Sequence, residues 1–284
     1  MLWFNKIEDH ASALAPLASA ARSVECAVEF RHVTRRFPAR HGNAQMTAVQ
    51  DVSVAIRKGE VASLIGPSGC GKSTLLNMGA GLYMPTEGEV FVGGRRVTGP
   101  SHDVAFMLQK DLLMPWRTIA ENVELGIQIR GVPRGERRAK SAILLERCHL
   151  KGFESHYPHQ LSGGMRQRAA LARTLAVEPD VLLMDEPFSA LDAQTKMVLQ
   201  QDLAQMLATE AKTALLITHD LAEAVALSDR VFVMSERPGT IIEEILIDLP
   251  MRDNPLERRK LSAMNGYIAR LMDLLKVGRE DHLG

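Results

Sequence analysis

Nine consecutive residues, Gly66-Pro67-Ser68-Gly69-Cys70-Gly71-Lys72-Ser73-Thr74, constrain this chain more than any other feature. They spell G-x-x-x-x-G-K-[ST] after an apolar run that ends at Ile65 and before a segment of helical character. Glycines at this spacing let the backbone curl until successive N–H groups face one anion. A helix beginning near Lys72 adds the positive end of its dipole. The pattern implies binding of a nucleoside triphosphate. Lys72 is expected to reach the β- and γ-phosphates, Ser73 to place its hydroxyl on Mg²⁺, and Thr74 to contact the α-phosphate.

A strand must precede such a loop, and the chain offers a set of them. Val61–Ile65, Val181–Met184, Ala214–Ile217 and Val231–Met234 are short and continuously apolar. Runs of this kind suit a mostly parallel sheet buried on both faces, with helices between its strands. The N-terminal part, Cys26 to about Glu60, reads instead as antiparallel strand. Val52, Val54 and Ile56 alternate with Ser53 and Ala55. Gly93-Gly94 joins Glu89–Val92 to Arg95–Val97 as a hairpin. From about residue 112 to 174 the strands give way to helices. Thr118-x-x-Glu121 has the form of a capping box, Ile119, Val123 and Ile127 follow at helical spacing, and a further helix is expected from Arg134 to Leu150.

The run Val181–Met184 delivers two carboxylates, Asp185 and Glu186, at its C-terminal end. That is where an open α/β sheet binds ligands. Asp185 is placed to hold Mg²⁺ through water, and Glu186 to act as general base toward an attacking water.

Composition narrows the alternatives. The chain has 34 Lys plus Arg against 34 Asp plus Glu, so it lacks the basic excess expected of a nucleic-acid binder. Its three cysteines, Cys26, Cys70 and Cys148, are odd in number and without paired spacing, which argues against a disulfide framework or a zinc site. No apolar run approaches the ~20 residues that span a bilayer, so a membrane role must be peripheral. Residues 1–25 lack the basic start and apolar stretch of a secretory signal and read as a variable extension. In the C-terminal extension, residues 251–284, Leu261, Met264, Ile268, Leu271 and Leu275 mark one face of an amphipathic helix, expected to pack back on the domain.

Leu161-Ser162-Gly163-Gly164-Met165 resembles the LSGGQ signature of ABC ATPases, with Met165 in place of the usual Gln. The residues agree with the resemblance, because Ser162 can cap the following helix while the two glycines expose backbone donors at its positive end. Other elements of that family appear in order. Gln109 is similar to the glutamine that touches Mg²⁺ and the transport domain. Ser189-Ala190-Leu191-Asp192 resembles the D-loop that crosses a dimer, and His219 the switch histidine near the γ-phosphate. Phe37 occupies the place of the adenine-stacking aromatic, where many relatives have Tyr. The resemblance runs from about Val28 to Met234. It implies a P-loop NTPase (RecA-like) α/β core over residues 26–250, with an N-terminal antiparallel β-subdomain and an inserted helical subdomain. It also implies ATP and Mg²⁺ as cofactors, and two subunits, expected to be identical, that sandwich two nucleotides.

A narrower resemblance lies in Asp111–Thr118 and Glu236–Ile241, which look like the nitrate/sulfonate/taurine group of importers. It implies integral membrane permease subunits, a periplasmic or lipid-anchored solute-binding protein, and a place on the cytoplasmic face of a bacterial inner membrane. Trp116 would border the groove for a permease helix. The rival reading is a non-transport ABC ATPase acting on ribosomes or DNA. Against it stand the single set of motifs and the absence of long heptads between the phosphate loop and the signature. A metabolic kinase would leave the LSGG segment unexplained, and exporter ATPase domains are commonly fused to membrane spans.

Overall fold

The structure is a computed structural model that describes residues 25–38 and 45–276. The extension read over residues 1–25 lies outside these but for its last residue. Two sheets organise the chain. The first is antiparallel, in the order β2-β1-β4-β5, built from β1 (Cys26–Pro38), β2 (Gln45–Arg57), β4 (Glu87–Val92) and β5 (Arg95–Arg96). The expected hairpin is present, with Val92 opposite Arg95 and both Gly93 and Gly94 at positive φ, as a two-residue turn of this hand requires. On β2, Val52, Val54 and Ile56 are buried while Ser53 is exposed, the alternation of a sheet with one dry face.

The second sheet has the order β10-β9-β3-β8-β7-β6. Its strands are β3 (Val61–Ile65), β6 (Val104–Met107), β7 (Val181–Asp185), β8 (Thr213–Ile217), β9 (Arg230–Met234) and β10 (Ile241–Leu246). All neighbours are parallel except β10, which runs antiparallel to β9. Every residue of β3, β7, β8 and β9 is buried, which explains their unbroken apolar runs.

Between the parallel neighbours β6 and β7 the chain inserts α2 (Ile119–Ile129), α3 (Arg134–Arg147) and α4 (Gly163–Ala176). The capping box on α2 is formed: the Glu121 N–H donates to Thr118 Oγ1, and the Thr118 N–H to Glu121 Oε2. Ile119, Val123 and Ile127 face the core shared with α4. The third expected helix stops at Arg147, three residues short of Leu150. The chain turns there, with His149 at φ 56°.

The remaining helices are α1 (Lys72–Gly79), α5 (Ala193–Thr209), α6 (Leu221–Leu227), α7 (Pro255–Arg258) and α8 (Met264–Leu274). α8 lies back on the domain, burying Met264 and Leu271 against a cluster with Val225 and Ile245. Leu261, expected on the same helical face, falls in the turn before it. Arg258, 1% exposed, anchors this end by donating to the carbonyls of Ala226, Ser228, Ile247 and Leu249. Among the described residues no helix is long and apolar enough to cross a membrane.

Candidate active site

The residues singled out in sequence converge at the C-terminal ends of the parallel strands. Gly66 follows β3, Gln109 follows β6, Asp185 ends β7 and His219 follows β8. This is the edge where strand carbonyls end and helix N-termini begin, so it favours an anionic ligand.

The loop Gly66–Gly71 curls into α1 with Gly71 at φ 111°. A side chain there would meet Val49 Cγ1 at 2.5 Å, so only glycine fits between β2 and the loop. The first turn of α1 has no side-chain cap and no acidic residue. Its N-terminal N–H groups and positive dipole end suit an anion such as a phosphate. Lys72 Nζ bends back to the carbonyls of Gly66 and Pro67, 2.8 Å from each.

Beside this loop lies an oxygen-rich cluster. Asp185 is buried at the end of β7, and the Ser73 hydroxyl hydrogen-bonds its carboxylate. Hydroxyl and carboxylate oxygens are the donors a hard cation such as Mg²⁺ prefers. Burial pushes the Asp185 carboxyl above its usual range; the Ser73 bond and the Lys72 charge oppose this, and Glu186 adds to it. A carboxyl whose folded value is raised stabilises the fold when protonated. That contribution is complete below the ordinary aspartate range and is lost as pH rises through the raised value. At neutral pH the ionised group is therefore a cost to the ligand-free protein. Asp185→Asn is expected to raise the ligand-free melting temperature at neutral pH while abolishing turnover. The gain should shrink as pH falls toward about 4; thermal melts across pH check this.

Glu186 has the left-handed backbone value φ 49°, costly for a residue with a Cβ and a mark of a site where geometry is enforced. The enforcing contacts are visible. Its N–H donates to Ile217 O at 3.0 Å, and its own carbonyl accepts from the N–H and hydroxyl of Ser189. Gln109 Nε2 donates to one carboxylate oxygen at 2.9 Å, and His219 Nδ1 lies 3.5 Å from the other. Carboxylate, amide and imidazole thus meet within one shell beside the phosphate loop.

The contacts of Leu161–Met165 run elsewhere. Ser162 Oγ caps α4 by accepting from the Met165 N–H at 3.3 Å. Gly164 packs on Leu191, where an added Cβ would lie 3.1 Å from Cδ2. Arg166 holds Asp111 at 3.0 Å, and Arg173 donates to the carbonyls of Asp111 and Leu112. The signature helix is therefore fastened to the segment after Gln109 and to the Ser189–Asp192 loop. Met165, the departure from LSGGQ, takes part in the cap through its backbone alone, so its side chain is not required there.

Phe37 stands at one remove from the phosphate loop. Its strand partner is Met46, whose sulfur meets Arg237 Nη1 at 3.1 Å, and Arg237 donates twice to Gly69 O, at 3.0 and 2.6 Å. Tyr83 abuts the Phe37 ring edge-on at 5.8 Å, and the Arg35 guanidinium sits 4.7 Å from its centroid. Sequence reasoning assigns Arg237 no role, although the segment Glu236–Ile241 stands out in it. Nothing local in the chain says that this arginine folds onto Gly69.

Comparison with known proteins shows the family. Residues 49–189 match the ABC transporter family. An uncharacterized ABC transporter ATP-binding protein of Methanocaldococcus jannaschii is 44% identical over 236 residues, 83% of this chain and 86% of that protein. The chain belongs to the ABC transporter family. It is an ATP-binding subunit, an ATPase of the kind that powers transporters. Among its ABC relatives, the taurine import ATP-binding protein of Yersinia pestis is 42% identical over 80% of this chain and 90% of its own length. The nitrate import ATP-binding protein of Synechocystis is 44% identical over 78% and 83%. A solved dimeric ATP-binding cassette in a post-hydrolysis state, bound to ADP and Pi, superposes with a TM-score of 0.72 at 33% identity, covering 78% of this ABC subunit and 98% of that chain.

Proposed function

We propose that this subunit works as a pair, closing on two ATP molecules to drive an importer of a small anionic or zwitterionic solute of the nitrate, sulfonate or taurine kind. One observation carries the reading. A single chain holds two glycine-lined helix starts, the uncapped one of α1 and that of α4, and the 189–192 loop packs on the second through Leu191 while Ser189 bonds the Glu186 carbonyl. Only the first stands beside Glu186. The second would complete the site of the partner subunit; a similar cassette is dimeric and bound to ADP and Pi.

In this reading Phe37 stacks on adenine. The 66–74 loop and Lys72 cradle the phosphates, and the Ser162–Met165 segment of the opposite chain covers the γ-phosphate. Ser73, Asp185 and Gln109 would hold Mg²⁺, which when bound neutralises the β- and γ-phosphate oxygens. Glu186 accepts the proton of the attacking water. Gln109 orients that carboxylate, and His219, on its other side, steadies the γ-phosphate. Because Asp111 and Leu112 are tied to α4, a shift of Gln109 on closure would turn the helical subdomain with it.

A groove of about 840 Å³ between α2 and α3 receives the permease in this scheme, and Trp116 at its edge is 72% exposed. Tryptophan is enriched among the few interface residues whose truncation costs about 2 kcal/mol or more. Trp116→Glu is expected to release the subunit from membranes bearing its permease, with MgATP affinity unchanged. Retention of the native chain on ribosomes or nucleic acid rather than membranes would overturn the assignment. Turnover of the reconstituted transporter, stimulated by binding protein loaded with nitrate, taurine or an alkanesulfonate, identifies the solute.

A further inference from the structure

Two of the loops around Glu186 are connected a second time, behind the site. Ser189, at the start of the D-loop, bonds the Glu186 carbonyl, and His219 lies beside its carboxylate. Away from Glu186, the D-loop ends at Asp192, which caps α5 by accepting from the Thr195 N–H at 2.9 Å and also accepts the Lys196 N–H at 2.8 Å. Lys196 Nζ then reaches Asp220 at 2.8 Å and Glu223 at 2.7 Å. Asp220 directly follows His219 and caps α6 through the Glu223 N–H. The contacts close a ring: Glu186, Ser189, Asp192, Lys196, Asp220, His219 and back to Glu186.

The joint is built rather than incidental. Glu223 is 2% exposed, and besides Lys196 it accepts from Gln200 Nε2 at 2.8 Å and from the Thr218 hydroxyl. Gln200 Oε1 in turn accepts from Arg259, just beyond α7, at 2.7 Å. Burial pushes the Glu223 carboxyl up. For Asp220, burial is outweighed by the Lys196 bond, the Glu223 N–H bond and the charges of Lys196 and Arg259 taken together, and the group is held low. One ammonium shared by two carboxylates, one of them buried, is a poor device for stability alone, since apolar residues of the same volume serve as well or better. Such a pair does fix one relative orientation of the segments that bear it.

We propose that Lys196 is a positioning residue for hydrolysis, locking the helix that follows the D-loop to the segment that carries His219 so that both move as one body around Glu186. The inference rests on the reading of His219 as part of the reacting site. A D-loop displaced by the partner subunit would then carry His219 with it.

The test compares turnover and MgATP affinity in the full chain for Lys196→Met, Lys196→Arg, the pair Lys196→Met/Glu223→Gln, and His219→Ala. Lys196→Met should lower kcat about 10- to 100-fold, the scale of a misplaced catalytic group, with MgATP affinity held within about twofold. Lys196→Arg should restore most of the rate. The paired variant removes the fully buried Glu223 charge along with its partner and leaves Asp220, 36% exposed, to water and the backbone N–H at position 223. It should therefore melt closer to the native temperature than Lys196→Met yet stay slow; this keeps the test valid even where Lys196→Met folds poorly. In a His219→Ala background Lys196→Met should cost less than about twofold more, because both act through one group. Native turnover in the paired variant would mean that Lys196 serves stability only and would overturn the inference while leaving the role of His219 intact. Native turnover in His219→Ala itself would remove both.

Discussion

Glu186→Gln is expected to slow ATP hydrolysis by roughly 100- to 10,000-fold, about 3–5 kcal/mol of barrier, while MgATP still binds. The substitution keeps the shape of the side chain and its place between Gln109 and His219. It removes the one feature a water needs from this position, a carboxylate oxygen able to take its proton. The left-handed backbone at Glu186 is set by bonds to Ile217 and Ser189, which do not involve the side chain, so the fold should be unaffected. Steady-state turnover set against equilibrium binding of MgATP decides the matter. Binding retained with hydrolysis lost is the expected pair, and near-native turnover would take Glu186 out of the role. Closed dimers should also accumulate in MgATP, because the step that reopens them is stalled, and sedimentation would detect them.

Lys72→Ala acts earlier in the cycle. The ammonium is the charge of the phosphate loop and donates to carbonyls of the same loop, Gly66 and Pro67. Transferring those bonds to β- and γ-phosphate oxygens replaces neutral acceptors by charged ones. Bonds to charged groups contribute about 1.5–3 kcal/mol each, so the variant should bind MgATP some 100-fold more weakly. Calorimetry measures this directly. Unchanged affinity would mean that the loop does not hold the triphosphate at all.

These two residues illustrate what can be read without coordinates. Lys72, Ser73, Asp185 and Glu186 lie in runs where loop, strand and chemistry coincide within a few positions, so the local chain carries its own context. The apolar strands β3, β7, β8 and β9 are equally plain, because burial on both faces leaves no room for alternation. β6 and β10 are not so plain. Each stands at a sheet edge, with partly exposed residues such as Phe106 or Glu243 interrupting the pattern, and nothing local separates such strands from loop. The connections of the site are the least visible. That Gln109 reaches Glu186, that Arg237 folds onto Gly69, and that Lys196 serves two carboxylates beyond the switch histidine all depend on residues brought together from distant parts of the chain. Charged side chains on a helix ordinarily read as a solvated face, so Lys196 gives no local sign of its partners.

The position of β3 has a consequence for how the protein is made. The strand that ends in the phosphate loop pairs with β8 through Val61 and Ala214, and with β9 through Ala62 and Arg230. Gly239, further along still, presses on Cys70 from outside the loop, with no room for a side chain. The nucleotide cradle is therefore synthesised early and walled in late. Until a ribosome has added β8, β3 has neither neighbour, and its apolar residues must be shielded by other means. Such long-range closure is slow, and it leaves a nascent strand open to aggregation in the interval. ATP can find an ordered pocket only once β8, β9 and Gly239 have been made.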